Sequence, residues 1–206
     1  MAYKKITSKK SNDVNKETVS GYDNILSYLK DFTILLSGIL LVFLLLFRVV
    51  VVEGPSMNNT LLDGDYVLLL NNALYHNPRQ GDIIVASKNS FKNGEPIIKR
   101  VIATEGQTVD IDFNTGVVYV DGKPLDEPYT LTPTNIKEGV SFPLTVESGC
   151  VFVMGDNRNK SQDSRSPEIG QIDCREIMGK AIFLVFPGTN KGTEARDFSR
   201  FGVLCS

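Results

Sequence analysis

The chain has 206 residues, 42% of them hydrophobic, with a formal charge of −2 and a single histidine. That length accommodates one compact domain with a real core and excludes two full ones, and the absence of a recurring basic or aromatic–basic face excludes a nucleic-acid binder. Cys150, Cys174 and Cys205 are too few and too scattered for a disulfide framework or a CxxC metal site, and the odd count leaves at least one free thiol. A single Cys150–Cys174 bond is compatible with an oxidising compartment, and so is a set of small buried thiols. There is no HExxH motif, and Asp156-Asn157-Arg158-Asn159-Lys160 puts cations where a calcium loop needs oxygen ligands, so neither a metal nor a cofactor is implied.

Residues 1–21 are polar, rich in Lys, Ser and Asn, and without apolar periodicity, which predicts a disordered tail. From Phe32 to Phe47 sixteen residues pass without a charge, and Val49–Val52 extend the apolar segment to 21 residues, 32–52. At ~1.5 Å per residue this length suits a membrane span across ~30 Å of hydrocarbon, with Arg48 near one end carrying its guanidinium to the headgroups. A buried soluble helix would show turn punctuation, and a cleavable signal peptide would show small residues after Phe47 rather than Arg-Val-Val-Val-Val-Glu. Six lysines precede the span against four acidic residues. The positive-inside rule therefore puts residues 1–31 in the cytoplasm and everything after the span at the outer face of the cell membrane, in contact with lipid.

Beyond Thr60 the pattern turns to short β-like runs at 65–70, 82–87, 96–104, 108–113, 117–120, 151–154 and 177–186, separated by Gly, Asn, Asp and Pro. The expected fold is all-β: an antiparallel sheet or barrel-like domain over 53–188, preceded by one N-terminal transmembrane helix. Asn114-Thr115-Gly116 marks a hairpin. The Pro-rich, weakly periodic stretch 121–148 reads as part of a peripheral insertion around 108–148 rather than core, and 189–206 as a loose C-terminal tail.

Three blocks carry chemistry: Glu53-Gly54-Pro55-Ser56-Met57-Asn58-Asn59-Thr60-Leu61 just after the apolar run, Ile97-Ile98-Lys99-Arg100-Val101-Ile102, and the polar stretch Gly155–Arg165. A serine needs a base to become nucleophilic. His76 lies in a loop without an evident carboxylate to orient it, so Lys99 is the candidate. At its ordinary pKa of ~10.4 only about one lysine in two thousand is neutral at pH 7, but apolar burial can lower that pKa by as much as ~3–5. Strand alternation puts Lys99 on one face with Ile97 and Val101, and Arg100 on the other with Ile98 and Ile102. Periodicity alone leaves open which of the two faces is buried. Gly-Asp-Asn at 155–157 is also ordinary turn chemistry.

In order along the chain, Gly-Pro-Ser56-Met-x-x-Thr-Leu, Gly64-Asp65-Tyr66-Val67-Leu68, Lys99-Arg100-Val101-Ile102-Ala103 with Glu105-Gly106, and Gly155-Asp156-Asn157-Arg158-x-x-Ser161-x-Asp163-Ser164-Arg165 resemble the signature blocks of bacterial type I signal peptidases. The likeness covers roughly residues 30–187. It implies a membrane-anchored serine endopeptidase that removes signal peptides from exported pre-proteins, with Ser56 as nucleophile and Lys99 as general base. It further implies that Ser161 hydrogen-bonds and orients Lys99, that Asp163 and Arg165 form a supporting ion pair, that Gly155 belongs to the same support, and that Met57, Leu61, Ile97 and Ile98 line pockets for small side chains. Gly54 and Asn59 depart from the usual Ser and Pro, and the first departure bears on the oxyanion hole. Two other readings are a related Ser/Lys protease with one dedicated substrate and a non-catalytic tethered β module that binds exported chains.

Overall fold

The computed structural model describes residues 3–189 and 195–204, with side chains from residue 22 onward except at 23 and 92; Cys205 lies outside the described residues. The chain divides into two units, an N-terminal helix and a β domain beginning at Leu46. Helix α1 runs Tyr3–Leu46 and includes Asn24–Leu46, a stretch of mean hydropathy 2.2 with none of its apolar surface buried. The polar tail, expected to lack regular structure, is therefore helical from Tyr3. No Pro or Gly interrupts it before Gly21, so nothing stops a helix propagating from the apolar segment.

The apolar run also ends earlier than its composition predicts. Phe47–Val51 is strand β1, in antiparallel register with β2 (Tyr66–Asn71) from Phe47↔Leu70 to Val51↔Tyr66. Three consecutive valines favour an extended chain, and pairing with β2 supplies backbone partners. Residues 47–51 thus belong to the β domain rather than to the anchor.

The remaining strands are β3 (Ile83–Ser87), β4 (Pro96–Thr104), β5 (Thr108–Asp112), β6 (Val117–Val120), β7 (Lys123–Pro124), β8 (Leu144–Thr145), β9 (Cys150–Met154), β10 (Ile172–Asp173), β11 (Ile177–Phe186) and β12 (Gly202–Val203). The main sheet has the order β1-β2-β11-β3-β4-β9-β10, and a second sheet has the order β7-β6-β5-β8. All the pairs are antiparallel. Strand β11 spans the sheet: one edge pairs with β2, while β3 and then β12 take successive parts of the other. The all-β expectation holds, and the predicted runs coincide with β2–β6, β9 and β11.

Three apolar clusters form the core. The first joins Met57, Leu61, Val67, Leu69 and Ile98, and the second joins Ile84, Val101, Val151, Val153 and Ile177. The third corrects the expectation of a peripheral insertion, because Val109, Ile111, Val118 and Val120 of the small sheet pack on Ile102, Phe152 and Met154 of the main one. Alternation explains it: the inward residues of β5 and β6 are Val and Ile, and the hairpin has no other way to remove them from water. Cys150 contributes to the third cluster and Cys174 to the second; both are free thiols, and burial raises their pKa values.

Phe152 is fully buried in the third cluster and meets the Phe142 ring edge-on at 5.8 Å. Phe152→Ala should therefore cost about 3–5 kcal/mol, read as a lower midpoint in denaturant unfolding of the detergent-solubilised protein. A midpoint unchanged within error would mean that the two sheets do not share this core.

Candidate active site

Residues 52–65 form a loop closed at its base, where Val52 N–H donates to Asp65 O and Gly64 N–H to Val52 O, each at 2.8 Å. Gly54, with φ of 80°, makes a bend that a side chain would strain, and its N–H donates to Asp63 Oδ1 at 2.7 Å. One helical turn follows, with Leu61 N–H bonded to Met57 O at 2.9 Å. The spacing of four puts Met57 and Leu61 on the same side of that turn, both fully buried in the first cluster. Ser56 is thus held at the head of a turn nailed into the core.

Lys99 lies on β4 opposite Ile84 of β3. It is 5% exposed, and its Nζ donates to Ser56 Oγ at 2.9 Å and to Ile98 O at 3.0 Å. Both faces of β4 are covered here, so Arg100 is buried as well, but its charge is neutralised by Asp156 through a two-point contact at 2.9 and 2.7 Å. Periodicity could not choose between the two cations because neither is solvated. His76 is exposed in its loop and belongs to a different surface depression from Ser56.

The 155–165 segment is tied to the serine loop by its backbone. Asn157 N–H donates to Ser56 O and its Nδ2 to Pro55 O, both at 3.0 Å. At Gly155 a Cβ would come within 2.2 Å of Ser161 Oγ and 2.5 Å of Ser56 O, so only glycine permits this approach. Asp163 and Arg165 form a fully buried two-point pair, with Nε at 2.8 Å from Oδ1 and Nη2 at 2.9 Å from Oδ2. Asp163 Oδ2 also accepts from Gly155 N–H at 3.0 Å. Ser161 differs from expectation. Its hydroxyl is buried against Gly155, and among the described residues it has no hydrogen-bond partner, Lys99 included. The lysine amine is instead drawn to Ser56 Oγ and the Ile98 carbonyl.

A cavity of about 620 Å³ opens at Ser56 and Lys99 and runs between Val50–Pro55 on one side and Phe91, Glu95 and Pro96–Ile98 on the other, with Val85 and Gln162 completing it. Ile97 and Ile98 line it as expected. Met57 and Leu61 do not; they lie beneath it and pack in the same cluster as Ile98. The groove's other wall, Val50–Val52, continues the apolar run in sequence, so composition does not separate it from the anchor. Glu127 and Glu138 were also missed, because they lie in the Pro-rich stretch without periodicity. Glu127 binds the buried Arg158, and Glu138 lies 3.1 Å from Arg165. Burial, together with the Asp163 carboxylate, pushes the Glu138 pKa up to about 7. The available signal was a shortage of acid: Arg158, Lys160 and Arg165 share their block with only Asp156 and Asp163, and Asp156 is taken by Arg100.

Comparison with known proteins bears on the whole domain. The family model for signal peptidase, peptidase S26, matches residues 25–186. A probable signal peptidase I-1 from Synechocystis is 40% identical over 165 residues, covering 74% of this chain and 80% of the relative. Signal peptidase I T of Bacillus subtilis is 33% identical over 192 residues, covering 88% of this chain and 96% of the relative. The crystal structure of a signal peptidase I from Enterococcus faecalis is 29% identical, with a TM-score of 0.41, covering 50% of this chain and 96% of that one. Since the family match takes in the serine loop, β4 and the 155–165 segment together, and the relatives align over most of their own length, the chain belongs to the signal peptidase family, peptidase S26, and is a serine endopeptidase.

Proposed function

We propose that this protein is a membrane-anchored peptidase that removes signal peptides from exported pre-proteins, with Ser56 as nucleophile and Lys99 as general base. The observation that carries the reading is the 2.9 Å contact between Ser56 Oγ and a buried Lys99 amine at the end of an apolar groove. With the amine neutral, the same contact runs from the serine O–H to Nζ. Lys99 takes that proton as Oγ attacks the scissile carbonyl, and the new C–O bond gives a tetrahedral oxyanion near the Ser56 N–H. Collapse breaks the C–N bond, and Lys99 returns the proton to the leaving amine. Water then attacks the ester, again giving up its proton to Lys99; the acyl C–Oγ bond breaks, and Lys99 returns the proton to Oγ, which regenerates Ser56. In this reading Ser161 supports Lys99 through a rotation of the lysine side chain that brings Nζ to its hydroxyl, which otherwise has no partner among the described residues.

The anchor in this reading is Asn24–Leu46, the residues before it form the cytoplasmic segment, and the β domain from Phe47 onward works at the outer face. Its support is the exposed apolar helix and the lysine-rich stretch ahead of it. The rival of a non-catalytic binding module gives no account of a lysine buried against a serine hydroxyl.

Lys99→Arg should abolish cleavage of a pre-protein while leaving the circular dichroism spectrum unchanged, because guanidinium does not deprotonate in the working range. Ser56→Ala should be equally inactive, Ser161→Ala should lose about tenfold, as for one neutral hydrogen bond, and His76→Ala should be unaffected. Near-normal turnover in the arginine variant would sink the mechanism.

Substrate choice should follow the groove. Ala, Gly or Ser at the first and third positions before the cut should be accepted between Ile97, Ile98 and the valines, whereas Lys at the first position would be buried without a partner. Mass-spectrometric mapping of cut sites in a peptide library tests this, and efficient cleavage after Lys or Phe would contradict it. For topology, protease added to intact spheroplasts should digest the β domain and spare an epitope placed at the N-terminus; the opposite pattern would reverse the assigned orientation.

A further inference from the structure

The family match ends at residue 186, yet the chain beyond it returns to the loop that carries Ser56. Gly188 crosses the base of that loop closely. Its N–H donates to Asp65 Oδ1 at 2.6 Å, and a Cβ on it would come within 2.3 Å of Asp63 O. Further on, Arg200 turns inward, with Nη1 at 3.0 Å from Asp65 Oδ1 and Nη2 at 2.6 Å from Asp65 Oδ2. The same Nη2 donates to Thr60 O at 3.3 Å, in the middle of the serine loop. Asp65 is fully buried and already accepts from Leu62 N–H at 2.7 Å, so the Arg200 fork completes the neutralisation of a carboxylate inside the loop.

Arg200 is held in place by apolar contacts on either side. Phe198 meets Phe186 edge-on at 5.6 Å, and Phe201 meets Phe183 at 4.9 Å. Strand β12 then adds to β11, and Leu204 packs on the first cluster, which contains Met57 and Leu61. The serine loop is therefore gripped from the C-terminal side twice, by a guanidinium at Asp65 and Thr60 and by a leucine beneath the turn. Thr60 relays the grip, since its hydroxyl hydrogen-bonds Asp156, the partner of Arg100 and the neighbour of Asn157.

We propose that Arg196–Leu204 is a strap that holds the serine loop in register with Lys99, and that Arg200 is its positioning residue. The proposal rests on the reading of Ser56 as nucleophile. A strap of this kind acts on turnover more than on substrate binding, because it does not itself line the groove and it holds the loop at Thr60 and Asp65, beyond the Val52–Ser56 part that does.

The test compares Arg200→Gln and Arg200→Lys with the wild type, all as full-length protein in detergent micelles and assayed at least 20 °C below the melting temperature of each. Displacing the nucleophile should lower kcat about 10- to 100-fold in Arg200→Gln with KM nearly unchanged. Arg200→Lys should recover part of this, since it keeps the charge but not the two-point fork. If Arg200→Gln fails to fold, Arg200→Lys alone carries the comparison. Amide hydrogen exchange supplies a readout independent of activity: Val52, Leu61 and Gly64 should exchange faster in the variants, and Val109 and Val118 should not. A lower melting temperature with unchanged kcat would mean that the segment only stabilises the domain, and would overturn the proposal. If the wild type cleaves no pre-protein, the functional reading fails separately. The exchange data then decide, and unchanged exchange at 52–65 would remove the strap as well.

Discussion

Three guanidinium groups, Arg100, Arg158 and Arg165, are buried to 1% exposure or less, and the rest of the domain is arranged around supplying each with a carboxylate. Arg165 finds Asp163 two residues away and Glu138 from the small sheet's long connection, Arg158 finds Glu127 from the same connection, and Arg100 reaches across from β4 to Asp156. Ion pairs removed from water in this way contribute little net stability, because desolvation offsets the attraction. What they supply is geometry. A buried arginine that loses its partner is strongly destabilising, so each pair fixes the relative position of two segments that could otherwise drift. The 155–165 segment, held by all three, is the part that must meet Ser56 O and Pro55 O to within hydrogen-bond length.

This gives the small sheet a purpose that its composition hides. Val109, Ile111, Val118 and Val120 bind it to the main sheet, and the connection between β7 and β8 then delivers Glu127, Thr134 and Glu138 to the arginines. A Pro-rich connection suits the task, since prolines hold an extended path without needing backbone partners for their nitrogens.

Much of the strand framework could be read from alternation, because β2, β5 and β6 bury one face and leave the other half-buried or exposed. Strand β1 could not: Phe47-Arg48-Val49-Val50-Val51 continues an apolar helix in sequence, and only the presence of β2 as a partner makes it a strand. Two-residue strands such as β7, β8, β10 and β12 carry too little pattern to be seen at all. At the site, Ser56, Lys99, Gly155, Asp163 and Arg165 were legible from the motif blocks, and the structure brings them together. Met57 and Leu61 were legible as important but not as buried, since a single helical turn inside a loop leaves no periodic signature. Ser161 was expected at the lysine, and its distance from any partner depends on where the Lys99 amine points, which sequence does not encode.

The contacts that assemble the site join parts of the chain that are far apart in sequence. Lys99 and Ser56 are separated by 43 residues, Thr60 and Asp156 by 96, Asn157 and Pro55 by 102, and Arg200 and Asp65 by 135. Closing such large loops costs chain entropy before any contact repays it, so loop closure favours forming the local hairpins before these junctions. A partly folded chain, lacking the Asn157 bridge, has its serine hydroxyl and lysine amine on independent segments. On the proposed Ser56–Lys99 reading, the power to cut would then require the finished tertiary structure and would lag behind synthesis of the chain.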